Sequence, residues 1–267
     1  MKLNKNKIKN SFSRRAGEYD KTAQLQQSIA SELIKKISVV QPGNILDIGC
    51  GTGFLTKLLA EKYPEARICA LDLAPGMIEQ AKKKLPQVEY QIADAEALPY
   101  PDQSFNGVFS SATYQWLDNP QQAFQEAGRV LKGDGLFAFS MFGGKTLYEL
   151  RDSYRQAFNS LYPEHSVPLH DYVNFADLFT MLEDFTIINL TKQITTTIVP
   201  DLNSLLKLLK SWGARNAHPA QLPGLGKRKL LKLTEELYQR NYFTTDNENH
   251  GLNVTWEVFY AKVMKKI

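Results

Sequence analysis

The stretch Leu46-Asp47-Ile48-Gly49-Cys50-Gly51-Thr52-Gly53 constrains this chain more than any other. A short apolar run ends in alternating glycines, and Leu55, Leu58 and Leu59 then recur at helical spacing. Glycines at a strand-to-helix turn let the backbone pass close to a nucleotide-like ligand without Cβ collisions. Asp72 stands nineteen residues after Gly53, at the end of the next predicted strand. A carboxylate there can accept from both hydroxyls of a ribose. A tight turn that binds nothing is the competing reading of the glycines alone.

The rest of the first half repeats the alternation. The spacing of Leu25, Ile29, Leu33, Ile34 and Ile37 predicts a helix over about 22–39, closed by Pro42-Gly43. Strands are expected at Asn44–Ile48, Arg67–Leu73, Val88–Ala93, Val108–Ser111 and Leu136–Met141. Pro75 opens a helix that runs to about Lys84, and Ala123, Phe124, Ala127, Val130 and Leu131 mark another. Asn106-Gly107 is by itself a hairpin signal, but the longer pattern makes it the opening of the fourth strand. Such βαβ order implies a parallel sheet with right-handed crossovers and ligands at the carboxyl ends of its strands.

Beyond residue 142 the regularity weakens. Lys145 to about Phe185 reads as mostly helical, interrupted at Pro163 and Pro168, and Thr186–Val199 as a sixth strand. Helices follow at Leu205–Trp212, ended by Gly213, and at about Lys227–Arg240; Val254–Val263 is a last strand, expected near the sheet edge. The expected fold is α/β, a Rossmann-like, seven-stranded, mostly parallel sheet with helices on both faces and a helical lid. Its parts are an N-terminal helical lid segment, 1–42; a nucleotide-type core, 43–142; and helical lid insertions with the last two strands, 143–267.

Composition removes several classes. Lys and Arg number 32 against 28 Asp and Glu, a formal charge of +4, too small to argue for nucleic acid. No apolar run reaches signal-peptide or membrane-span length, and Cys50 and Cys69 lack a CxxC spacing, so a reducing cytoplasm is expected. His165, His170, His218 and His250 lack metal-ligand spacing, and no metal is expected. Neither a GxSxG elbow nor a GxxxxGK[ST] loop is present.

Charge sharpens the glycine loop. Asp47, two residues before Gly49, places a negative charge where a pyrophosphate would approach. It disfavours a dinucleotide and attracts the sulfonium and ammonium of S-adenosylmethionine. Asp94-Ala95-Glu96 follows the third strand, where Asp94 can accept from an adenine amino group or, more blandly, cap a turn.

These residues resemble the class I S-adenosylmethionine-dependent methyltransferases over roughly residues 43–142, with Leu98-Pro99 and Phe105-Asn106-Gly107-Val108 completing the pattern. Asn106 departs from the usual aspartate. A closer resemblance, to the malonyl-acyl carrier protein O-methyltransferases of biotin synthesis, rests on Phe12-Ser13-Arg14-Arg15-Ala16, Tyr19-Asp20, Leu25-Gln26 and Ser111-Ala112-Thr113-Tyr114-Gln115-Trp116-Leu117. Thr146-Leu147, Glu149-Leu150 and Leu209–Ala214 extend it over most of the chain, loosely across 155–200. It implies methylation of the free carboxylate of a malonyl thioester on acyl carrier protein.

The expected cofactor set is Arg14, Tyr19, Gln26, Asp47, Gly49, Cys50, Gly51, Gly53, Asp72, Leu73, Met77, Asp94, Ala95, Glu96, Ser110 and Ser111. Tyr19 and Arg151 are candidates for gripping the substrate carboxylate, and Trp116 with Tyr114 for walling the site. Packing or solvation is the plain alternative for each. Lys207, Lys210, Arg215, Lys227, Arg228, Lys229 and Lys232 lie in a stretch free of acids between Asp201 and Glu235. They form either a dock for an acidic carrier protein or a solvated helix face, while Lys2, Lys5, Lys7 and Lys9 read as a disordered tail. The rival functions are a small-molecule carboxyl or quinone-type methyltransferase, an NAD-dependent oxidoreductase, and a non-catalytic protein that has kept the pocket.

Overall fold

The computed structural model describes residues 3–37, 43–169, 171–213, 224–246 and 249–266. The chain opens with α1 (Lys5–Thr22) and α2 (Gln24–Lys36), broken at Ala23. It alternates through β1 (Asn44–Ile48), α3 (Phe54–Lys62), β2 (Arg67–Asp72), α4 (Pro75–Lys84), β3 (Glu89–Ile92) and β4 (Phe105–Ser111). A 3-10 turn at Tyr114–Trp116, α5 (Pro120–Val130) and β5 (Leu131–Phe142) complete the regular half. Then come α6 (Tyr148–Leu161), α7 (Phe175–Met181), β6 (Phe185–Val199), α8 (Leu202–Ser211), α9 (Gly224–Tyr242), β7 (Phe243–Asp246) and β8 (Asn249–Lys265).

Local chemistry sets the boundaries. Asn119 caps α5 by accepting from the Gln122 N–H, with Pro120 in the first turn; Asp201 does the same for α8 through the Ser204 N–H at 2.7 Å. Gly213, at φ +80°, stands just past the end of α8, the left-handed position that sequence reading assigned it. Of the lysine-rich start, Lys5, Lys7 and Lys9 lie in a helix and not in a tail; Lys2 lies outside the described residues. Asn4 caps α1 by accepting from the Lys7 N–H, and Ile8, Phe12, Ala16 and Tyr19 give the helix an apolar stripe.

The sheet runs β3-β2-β1-β4-β5-β8-β6, with β7 added along β8, so eight strands rather than seven are present among the described residues. Pairs from β3 to β5 are parallel; β8 is antiparallel to β5, β6 and β7. Strand order reverses at β1, between β2 and β4. The last strand lies one place in from the edge, because its side chains are buried on both faces. Leu252, Val254, Trp256 and Val258 join the core under α2 and α3, while Phe259, Ala261 and Val263 join the core under α5 and α7. The edge place belongs to β6, which is exposed at most positions beyond Phe185.

Candidate active site

The carboxyl ends of β1, β2, β3 and β4 open beneath α1 into a cavity of about 530 Å³. That volume is within the ~300–1,000 Å³ usual for pockets that enclose a small ligand. Gly49 and Gly51 form its floor. Gly49 needs its φ of +71°, and a Cβ there would fall 2.3 Å from Thr113 Oγ1. Gly51, at φ +55°, has nothing within 4 Å of where its Cβ would stand. Its backbone therefore leaves space for a ligand. The Gly51 N–H donates to Asp72 Oδ2 at 2.9 Å and the Ala74 N–H to Oδ1 at 2.7 Å, so the carboxylate is fixed at the rim with lone pairs to spare. Burial pushes Asp72 above the ordinary carboxylate value despite these two bonds.

Of the expected cofactor residues, Tyr19, Gln26, Gly49, Gly51, Asp72 and Leu73 line this cavity, as do Met77, Asp94, Ala95 and Ser111. Six do not. Asp47 is fully buried beside the glycine loop, where its Oδ2 accepts from Thr56 Oγ1 at 2.6 Å and its Oδ1 has no partner. Burial, helped by Asp72 and opposed by the Thr56 bond, raises its pKa to about 7. Cys50 and Gly53 belong to the turn into α3. Ser110 is buried, donating to the Ile48 carbonyl, and Arg14 is exposed on α1, its Nε on the Asn10 carbonyl. Glu96 braces the neighbouring loop by accepting from the Asp118 and Asn119 N–H groups.

α1 forms the roof. Lys5, Ile8, Phe12 and Tyr19 face the cavity. Lys5 Nζ bridges Asp94 Oδ2 at 2.6 Å and Glu96 Oε2 at 2.9 Å, which overturns its reading as tail. At the other end Asp20 accepts from Thr52 Oγ1 at 2.5 Å and pairs with Lys84. Burial first, then Asp72 and Asp20, raises Tyr19 above the usual tyrosine value, so its hydroxyl stays a proton donor. Sequence reasoning missed Lys5 as a site residue; the capping Asn4 marks only the start of its helix.

The far end of the cavity is built from α6, α8 and α9. Arg151 lies in it with its side chain 14% exposed, Nη1 donating to the Gly144 carbonyl at 2.8 Å and Nη2 to Asp171 at 3.3 Å. Its Nε is buried without a partner, and its guanidinium sits 5.2 Å from the centre of the Tyr172 ring. Desolvation lowers its pKa, against Tyr172 and Asp171, which raise it. Trp116 walls the middle, edge-on to Phe12 at 5.6 Å. Tyr114 does not; it stacks on Phe124 at 4.6 Å in the core, fully buried. Sequence reasoning missed Tyr154, Tyr172 and Trp256, which line this end and carried no motif.

The cavity is thus acidic at the strand ends, where Asp72 stands and Asp94 is shared with Lys5, and carries the further cations Arg151 on α6 and Lys210 on α8. The acidic end suits S-adenosylmethionine. Gly51 leaves room for its backbone-proximal part, Asp72 can accept from ribose hydroxyls, and the buried, unpartnered Oε1 of Gln26 needs a donor such as an ammonium. Among the described residues no cluster of His, Cys, Asp and Glu is placed to hold a metal ion, and no helix is long and apolar enough to cross a membrane.

A methyltransferase-domain family model matches residues 46–139. The solved structure of a Bacillus halodurans protein assigned to the methyltransferases superposes with a TM-score of 0.62 at 21% identity, covering 90% of this chain and all of that one. The fold and the matching domain therefore define a methyltransferase. The malonyl-[acyl-carrier protein] O-methyltransferase of Geobacter sulfurreducens is 35% identical, covering 97% of this chain and 98% of its own, and that of Halorhodospira halophila 31%, covering 95% and 85%. The chain belongs to the malonyl-[acyl-carrier protein] O-methyltransferase family. The oxidoreductase reading of the glycine loop falls with that match.

Proposed function

We propose that this enzyme methylates the free carboxylate of a malonyl thioester carried on acyl carrier protein, giving a neutral ester that can prime chain elongation toward biotin. The observation that carries the reading is Arg151, a guanidinium held in the cavity with a buried, unpartnered N–H, in a chain that aligns over 97% of its length with a relative of that name. When bound, S-adenosylmethionine supplies an electrophilic methyl on a sulfonium, which a carboxylate oxygen takes by in-line displacement.

The chain's own residues bind, orient and exclude water. A malonyl carboxylate, with a pKa of roughly 4, is already ionised at neutral pH, so no general base is needed. The arginine in the cavity offers Nε–H and a second N–H to the two carboxylate oxygens. Tyr19, kept protonated, donates from the roof. Phe12 and Trp116 close the middle of the cavity to water. Holding oxygen, methyl and sulfur in line is worth as much as ~7–11 kcal/mol. In this reading residues 1–42 act as a lid over the core, with 143–267 enclosing the acyl end. Asp47 acts beneath the floor, its charge drawn out by the cationic cofactor. The basic residues Lys227, Arg228 and Lys229 are exposed on α9 and available to an acidic carrier; Arg215 lies outside the described residues.

Labelled S-adenosylmethionine tests this directly. Label passes to malonyl carrier protein and not to acetyl carrier protein or free malonate; equal labelling of free malonate would make the enzyme a small-molecule carboxyl methyltransferase.

A further inference from the structure

Beyond the strand ends the cavity extends along α6, α8 and α9, and its lining there is largely apolar. Leu206 and Leu209 of α8, Leu231 of α9, and Leu150 and Tyr154 of α6 form its wall. Along α8 the lining positions are Leu202, Leu206, Leu209 and Lys210, one continuous stripe. Over the eight residues between its ends the stripe spans about 12 Å. Among the described lining residues only Lys210 of α8 and Leu231 of α9 are exposed, so the lining reaches the protein surface at these two residues. Lys210 has no acidic partner among the described residues, whereas Lys5 and Arg151, the other cations of the lining, are both paired.

A free dicarboxylic acid is compact and polar and gains nothing from such a passage. A long, mostly uncharged arm with an anion at its outer end uses all of it: apolar contact along the wall and a cation where the arm emerges. We propose that the phosphopantetheine arm of the carrier-bound substrate enters the cavity along the α8 stripe, past Leu231, with Lys210 pairing to the arm's phosphate. The exposed Lys227, Arg228 and Lys229 lie within one turn of Leu231 on α9, so they meet the carrier protein just outside. Lys210 thereby leaves the general docking patch and becomes a specificity-determining residue. The inference rests on the carrier-thioester reading above.

Two small substrates isolate the phosphate. Malonyl thioesters of 4′-phosphopantetheine and of pantetheine differ in that group alone. The wild-type enzyme methylates the phosphorylated thioester with a kcat/KM about fivefold higher, the effect of one exposed charge pair. In Lys210→Gln the ratio falls to about one, and Lys210→Arg keeps it. A ratio of one in the wild type, or a preference that survives Lys210→Gln, overturns the assignment of the phosphate to Lys210. Failure of wild-type enzyme that binds S-adenosylhomocysteine normally to methylate malonyl carrier protein itself overturns the carrier-thioester reading, and this inference with it.

Discussion

Replacing Asp47 by asparagine should flatten the pH dependence of stability, and by an amount the structure sets. Asp47 is fully buried with one oxygen unpartnered, and its pKa is raised from 3.8 to about 7. An acid whose folded pKa is raised keeps its proton in the native state to higher pH than in the unfolded chain. Its stabilising contribution is therefore complete below pH 3.8 and is lost progressively up to pH 7. At 1.36 kcal/mol per pH unit, the ionisation costs the native state about 0.6 kcal/mol at pH 4, about 2 kcal/mol at pH 5.5 and about 4 kcal/mol at pH 8. Asparagine keeps the shape and the acceptor for Thr56 but cannot ionise. Its amide leaves a buried N–H without a partner, which costs about 1–3 kcal/mol at every pH and so does not enter the slope. Urea unfolding of the ligand-free protein from pH 4 to pH 8 should show the stability of Asp47→Asn rising against wild type by about 4 kcal/mol across that range. A difference constant with pH would refute the reasoning, because the burial of an ionisable carboxylate would then have no thermodynamic consequence.

Other substitutions separate binding from folding. Arg151→Ala is expected to lower kcat/KM on malonyl carrier protein by about 10–150-fold, the worth of a charge-assisted bond, with S-adenosylhomocysteine affinity within twofold by calorimetry; unchanged turnover would remove Arg151 from the site. Gly49→Ala, with its Cβ driven into Thr113, should destabilise the protein by about 2–4 kcal/mol in urea. Gly51→Ala should cost only about 1 kcal/mol of stability yet weaken S-adenosylhomocysteine binding, since its methyl enters open cavity space. Lys5→Met breaks the bridge to Asp94 and Glu96, and should raise the cofactor dissociation rate in stopped flow and abolish its dependence on salt.

The parallel half of the fold and the floor of the site were legible because their signals are local. A glycine turn, Asp72 at the next strand end, and Pro75 at a helix start each act within a few residues. The acyl end was not. Tyr172 and Trp256 reach Arg151's end of the cavity from a loop and from β8, and no spacing records that meeting. Asp47 and Glu96 show what spacing does not record: packing buries one carboxylate beside the floor and sets the other to hold a loop. The inward place of β8 was present in Val254–Val263, where apolar residues occupy both parities, a mark of burial on two faces. At α1 the lysines outweighed the cap and the apolar stripe beneath them.

The most direct test of the account is the chemical position of the transferred methyl. Malonyl carrier protein treated with the enzyme and labelled S-adenosylmethionine would be hydrolysed in mild alkali and the label followed. A site that grips an ionised carboxylate and supplies no base predicts an oxygen ester, so the label leaves as methanol. Label retained on carbon through hydrolysis would contradict the account, since it requires a proton to have been removed from the malonyl methylene.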